Sequence, residues 1–164
     1  MIKFFKHSCY GLIYLFFIFA LLTMFIISAK AELTKPNNKI KPYQVVKIQL
    51  TSLMNNDKPI VDNGINQTWE FAHPNNQKYT GPLEKFKTML KGNSYSMLLN
   101  HSEHKVTEIY ISEDVATFEV TVLDIEKKYY KFKWQVEKYK KDGPLKNCWL
   151  TTTVSQPNSL GSSI

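Results

Sequence analysis

The chain is 164 residues long with a formal net charge of +7, and every one of its 21 basic residues is a lysine. Setting aside Lys3, Lys6 and Lys30 leaves 18 lysines against 14 acidic residues, a net of +4 spread along residues 32–164. Dispersed charge without a single arginine fork excludes nucleic acid as a partner, because such surfaces gather charge on one face and grip guanine or phosphate bidentately.

Residues 1–31 have the three parts of an export signal. Lys3 and Lys6 form a basic start, residues 10–27 an apolar run broken only by Gly11 and Thr23, and Ala29 and Ala31 the small residues of a cleavage site. At about 1.5 Å per residue the run reaches roughly 27 Å, close to the hydrocarbon core of a bilayer. The segment is therefore read as a signal peptide, with an uncleaved membrane anchor as the alternative. In both cases the lysines hold the amino terminus in the cytoplasm, and everything from Glu32 is exported to a periplasm, a thylakoid lumen or the cell exterior. Beyond the leader only Cys148 remains, so no intramolecular disulfide can form. Cys148 is expected to be a buried small apolar residue.

Residues 32–41, with Pro36, Asn37 and Asn38, read as a mobile linker, and residues 155–164, with Pro157, Gly161 and several serines, as a disordered tail. The 113 residues between them, 42–154, suit one domain with a single core. Its first half is helical. Val46, Leu50, Leu53 and Met54 share one face of a helix that starts near Pro42 and stops at Asn55-Asn56-Asp57. Ile65, Trp69 and Ala72 repeat that spacing in a shorter helix, capped by Asp62 or Asn63 and closed before Pro74, with His73 on its last carbonyls. A third helix follows Thr80-Gly81, with Pro82 at its first position, Leu83, Phe86 and Leu90 inward, and Gly92 at its end.

The second half alternates with period two. Residues 106–111, 115–123, 129–139 and 147–154 are β-branched and aromatic runs. Phe118, Val120 and Val122 oppose Thr117, Glu119 and Thr121, while Phe132, Trp134 and Val136 oppose Lys131, Lys133 and Gln135. Short connections make these an antiparallel meander with one dry face. The expectation is an α+β domain: a leader helix, then three helices on one face of a curved four-stranded antiparallel sheet.

Particular words occur in order along this frame. They are Val45-Val46-Lys47-Ile48-Gln49-Leu50, Asn55-Asn56-Asp57, Gly64-Ile65, Trp69-Glu70-Phe71-Ala72, Gly81-Pro82, then Met89-Leu90, Tyr95, Leu98-Leu99, His101 and Cys148-Trp149-Leu150-Thr151. Over residues 43–154 they resemble the domain-of-unknown-function family 4864. The element order resembles the cone-shaped fold of nuclear transport factor 2-like proteins, which implies a curved sheet around a long helix with a cavity between them. The family implies no established activity.

Two functional readings follow. Cone folds place a carboxylate or histidine among aromatics at the cavity mouth, which makes Glu70, Tyr95 and His101 the catalytic candidates of a small acid–base enzyme. The leading reading is a non-enzymatic module that holds a small apolar ligand, with Trp69, Phe86, Tyr95, His101 and Trp134 lining the cavity, or that docks a partner protein. No cofactor is expected, because nucleophile elbow, phosphate-cradling glycine loop and paired-cysteine motifs are all missing. No metal is expected either. His101, Glu103 and His104 lie in a stretch that reads as a loop, and two histidines do not complete a site. Asn66-Gln67-Thr68 and Asn100-His101-Ser102 match the glycan acceptor pattern, which an asparagine-rich chain contains by accident.

Overall fold

A computed structural model describes residues 32–162. The expected leader, residues 1–31, and with it the expected leader helix, lies outside the described residues. Among these, no helix is long and apolar enough to cross a membrane.

Helix α1 (Pro42–Met54) is opened by Pro42, whose missing N–H is no loss at a first turn, and by Gln44, whose side chain accepts the Lys41 N–H at 2.8 Å. Its buried face carries Val45, Val46, Gln49, Leu50 and Leu53. Helix α2 (Asn63–Glu70) crosses it closely. A Cβ on Gly64 would sit 2.1 Å from the Ser52 carbonyl oxygen, so only glycine permits this approach. The turn between the helices is fixed by Asp57, which accepts from Asn56 Nδ2, the Asp62 N–H and Asn100 Nδ2 at 2.9–3.0 Å. Those bonds, that from Asn100 foremost, hold its carboxyl below the usual range.

The helical layer has four members rather than the expected three. Helix α3 (Pro74–Thr80) fills what the sequence presents as a loop, and α4 (Leu83–Lys91) follows it. Pro74 closes one helix but also opens the next, and His73 caps the start of α3 instead of the end of α2: its Nδ1 accepts the Asn75 N–H at 3.1 Å. Helix α3 buries none of its residues, so it has no apolar stripe to reveal it. A short 3-10 turn (Ser96–Leu98) then leads into the sheet.

Strands β1 (Glu103–Ile111), β2 (Val115–Leu123), β3 (Lys128–Lys138) and β4 (Trp149–Val154) pair antiparallel in sequence order. A fifth strand, β5 (Asn158–Ser162), corrects the expectation of a disordered tail: it pairs with β3 from Lys128 to Lys131, beyond the part of β3 that β4 covers. Bulges at Ile109 in β1, Thr152 in β4 and Leu160 in β5 interrupt the ladder, and bulges are what bend strands and curve sheets. The segment before α1 is irregular yet docked. Thr34 exchanges two hydrogen bonds with Gln67, and Lys35 pairs with Glu70 at 2.8 Å.

Period-two alternation assigns the faces as read, except that Thr117, expected on the wet face, is also buried. Phe118, Val120, Phe132, Trp134 and Val136 are buried against the helices, whereas Lys133 is exposed. Phe118 and Trp134 are direct cross-strand partners in the register of β2 and β3. Helix and sheet are also stitched through backbone. The end of α2 runs beside β4, with the His73 N–H on the Thr151 carbonyl and the Thr151 N–H on the Phe71 carbonyl, both 2.8 Å. Cys148 is buried, as expected, and burial pushes its thiol pKa up.

Candidate functional site

Between the helical layer and the sheet lies a cavity of about 90 Å³. Helix α4 supplies Phe86, Met89 and Leu90, α1 supplies Leu53, and the 3-10 turn supplies Leu98. Trp134 from β3 and Thr151 from β4 close the sheet side. Tyr95 and Val154 stand at one edge, both partly exposed, with the Tyr95 hydroxyl donating to the Val154 carbonyl at 3.4 Å. Gln156, in the connection to β5, donates to the same hydroxyl at 3.2 Å.

A buried polar cluster lies along the cavity. Gln49 Oε1 accepts from Trp134 Nε1 at 3.1 Å and from the Thr151 hydroxyl at 2.6 Å, while Gln49 Nε2 donates to the Thr68 carbonyl at 3.0 Å. Gln49 sits on the inward stripe of α1 one turn from Val45 and Val46, where an amide is costly to bury unless its groups are paired. Each partner comes from a different element, so the cluster fixes α1, α2, β3 and β4 relative to one another. Asn76 and Thr80 of α3 add two more polar groups to the lining. None of these five polar residues was marked by the sequence as a site residue. The one available signal was Gln49 itself, a lone amide among Val45, Val46, Leu50 and Leu53.

Of the expected ligand contacts, Phe86, Tyr95 and Trp134 line the cavity and Trp69 and His101 do not. Trp69 is held behind Phe86, ring centroids 5.0 Å apart, with Gly81 so close that a Cβ there would lie 2.8 Å from the indole. His101 is 2% exposed and points elsewhere. Its Nδ1 is 2.7 Å from the Leu98 carbonyl oxygen, and its Nε2 is 2.8 Å from His104 Nδ1. The carbonyl only accepts, so Nδ1 of His101 carries the proton and its Nε2 lone pair receives the His104 Nδ1–H. His104 belongs to β1, which begins three residues earlier than the sequence suggests and replaces the expected loop.

Glu70, Tyr95 and His101 are therefore not gathered round the cavity. Among the described residues, Tyr95 is the only titratable one in the lining, and burial raises its phenol pKa, holding it neutral. Desolvation lowers the His101 pKa to about 4, with the Leu98 bond opposing it and His104 adding to it. Burial and the nearby Lys47 ammonium lower that of His104. The described residues contain no group of three or more His, Cys, Asp or Glu side chains able to hold a metal ion. Neither glycan acceptor motif stands free: Asn100 bridges Asn56 and Asp57 with its amide, and Asn66 is followed by the buried Gln67 and Thr68.

Four helices on one face of an open antiparallel sheet, with a small neutral cavity between the layers, define an α+β domain with an internal pocket. No curated protein and no solved structure matches the chain. Residues 35–155 match the family described as Domain of unknown function (DUF4864), and the chain belongs to that family.

Proposed function

We propose that this is an exported, non-enzymatic binding module of the nuclear transport factor 2-like cone type, which holds a small ligand between helices and sheet. The observation that carries the reading is the chemistry of the cavity wall: Tyr95 alone among the lining side chains of the described residues can ionise, and burial keeps it protonated. The acid–base pair of the alternative reading would need two titratable groups converging on one reacting atom. His101 has both ring nitrogens engaged away from the cavity, and Glu70 is paired with Lys35. The export half rests on the basic, apolar and small-residue sequence of residues 1–31.

The test is native mass spectrometry of the protein purified from its source without denaturation, followed by release and identification of bound small molecules. Ala72 also lines the cavity, and a stoichiometric small molecule lost on filling it by Ala72→Leu supports binding. Turnover of a substrate that depends on Tyr95 would replace this reading with the enzymatic one.

A further inference from the structure

The binding reading above leaves the ligand open, and the unused hydrogen-bonding capacity of the cavity wall specifies it. Gln49 Oε1 is saturated by Trp134 and Thr151, but Gln49 Nε2 uses one of its two N–H groups on the Thr68 carbonyl and keeps the other. Asn76 Nδ2 likewise donates once, to the Thr151 carbonyl at 3.3 Å, and keeps one N–H. The Thr68 hydroxyl donates to the Gly64 carbonyl at 2.8 Å and the Thr80 hydroxyl to the Asn76 carbonyl at 2.9 Å, so both oxygens retain lone pairs. One side of the cavity thus offers donors and acceptors together. Phe86, Met89, Leu90 and Leu98 offer only hydrocarbon and a thioether.

No charged side chain of the described residues lines this space. A carboxylate or an ammonium placed there would lose its hydration with no counter-ion to replace it, whereas a neutral group that both donates and accepts would find partners on Gln49, Thr68, Asn76 or Thr80. Volume limits the size. An apolar cavity of about 150 Å³ takes benzene, and this one is about 90 Å³.

We propose that the cavity takes a small uncharged amphiphile: a hydroxyl or carboxamide group held by Gln49 and Thr68, on a short hydrocarbon chain packed along Phe86 and Leu90. Asn76, Thr80, Met89 and Tyr95 are only partly buried and form its entrance.

The experiment uses the full-length protein labelled with 15N on tryptophan, with the Trp134 indole N–H resonance assigned by its loss in Trp134→Phe. Four probes of equal chain length are titrated at neutral pH: 1-propanol, propionamide, propionate and propylammonium. Propanol and propionamide are expected to shift the Trp134 signal saturably, with dissociation constants on the order of millimolar for ligands this small, while the two ions leave it in place. Thr68→Val, which keeps shape and removes the acceptor, is expected to weaken propanol binding about tenfold. If propionate or propylammonium binds within about threefold of propanol, the neutral-ligand proposal fails and the binding reading survives. If all four probes leave Trp134 unmoved, both fail. If Thr68→Val folds and binds propanol unchanged, the assignment of the polar group to Thr68 is overturned.

Discussion

His101 and His104 share one N–H···N hydrogen bond of 2.8 Å, and His101 is at the same time anchored to the Leu98 carbonyl at 2.7 Å. The pair joins the 3-10 turn to the second residue of β1, and so ties the helical half of the chain to the sheet. This bridge accommodates one added proton as N–H⁺···N, but a second would set two donors against each other.

The linkage to stability has a definite sign. Burial lowers the His101 pKa from the ordinary 6.5 to about 4, so between these values the unfolded chain binds a proton that the folded chain refuses. The stabilisation is complete above pH ~6.5 and is lost as pH falls towards ~4. A shift of that size corresponds to about 3 kcal/mol. His104, lowered by burial and by Lys47 of α1, acts in the same direction, and Glu103 opposes it. Urea unfolding at pH 7 and pH 4.5 is expected to show the loss, with His101→Gln flattening much of the slope. A midpoint independent of pH across that window would show that the buried imidazole accepts protons freely.

Trp134 is 1% exposed, and its cross-strand partner Phe118 is fully buried. Trp134→Ala should cost about 3–5 kcal/mol, as truncation of a large core aromatic does. Chemical denaturation measures it directly. A loss below about 1 kcal/mol would mean that the indole is not part of the packed core.

These two strands were the most legible part of the sequence, because period-two alternation over nine or more residues fixes both faces at once. Helix α1 was equally legible from Val46, Leu50 and Leu53. The omissions have physical causes. Helix α3 buries nothing, so there is no stripe to detect, and Pro74 reads as a stop even where it is a start. Strand β5 is exposed throughout, and its pairing is supplied by the free edge of β3 rather than by its own Ser159-Leu160-Gly161. At the site, Phe86, Tyr95 and Trp134 could be read as pocket aromatics, but Gln49 could not be read as their partner. Its bond to Trp134 spans 85 residues, and no local pattern encodes a contact of that range.

Gly64 is the contact point of α1 and α2. Gly64→Ala would drive a Cβ to 2.1 Å from a backbone oxygen of Ser52 and 2.8 Å from Asn56 Cα, neither of which can rotate away. The helices must separate, at a cost of about 1–3 kcal/mol or more. Thermal unfolding should show a fall of several degrees. An unchanged midpoint would mean that the crossing is looser than this geometry.

Export makes its own prediction. If the proposed leader is cleaved, the small side chains at Ala29 and Ala31 put the cut after Ala31, and amino-terminal sequencing of the protein from its source should begin at Glu32. Recovery of Met1 in washed membranes would establish the anchor in its place.

The Gln49 cluster gives the sharpest test of how polar groups hold this core together. Gln49→Leu removes the acceptor shared by Trp134 Nε1 and the Thr151 hydroxyl, leaving the indole only its 3.3 Å bond to Thr151 Oγ1 and the Thr68 carbonyl only the Phe71 N–H. The Thr151 hydroxyl loses its acceptor, and a buried group left unpaired costs about 1–3 kcal/mol, so the single substitution should be destabilising despite adding apolar surface. Combining it with Trp134→Phe and Thr151→Val removes the stranded groups together with their partner. The triple variant is then expected to be more stable than the sum of the three single losses predicts, by roughly 1–3 kcal/mol of coupling, because these residues act as one network. Urea denaturation of the four variants against the parent measures that difference. Simple additivity would mean that water reaches the cavity and satisfies each group independently, and that Gln49 positions Trp134 no more than any neighbouring side chain does.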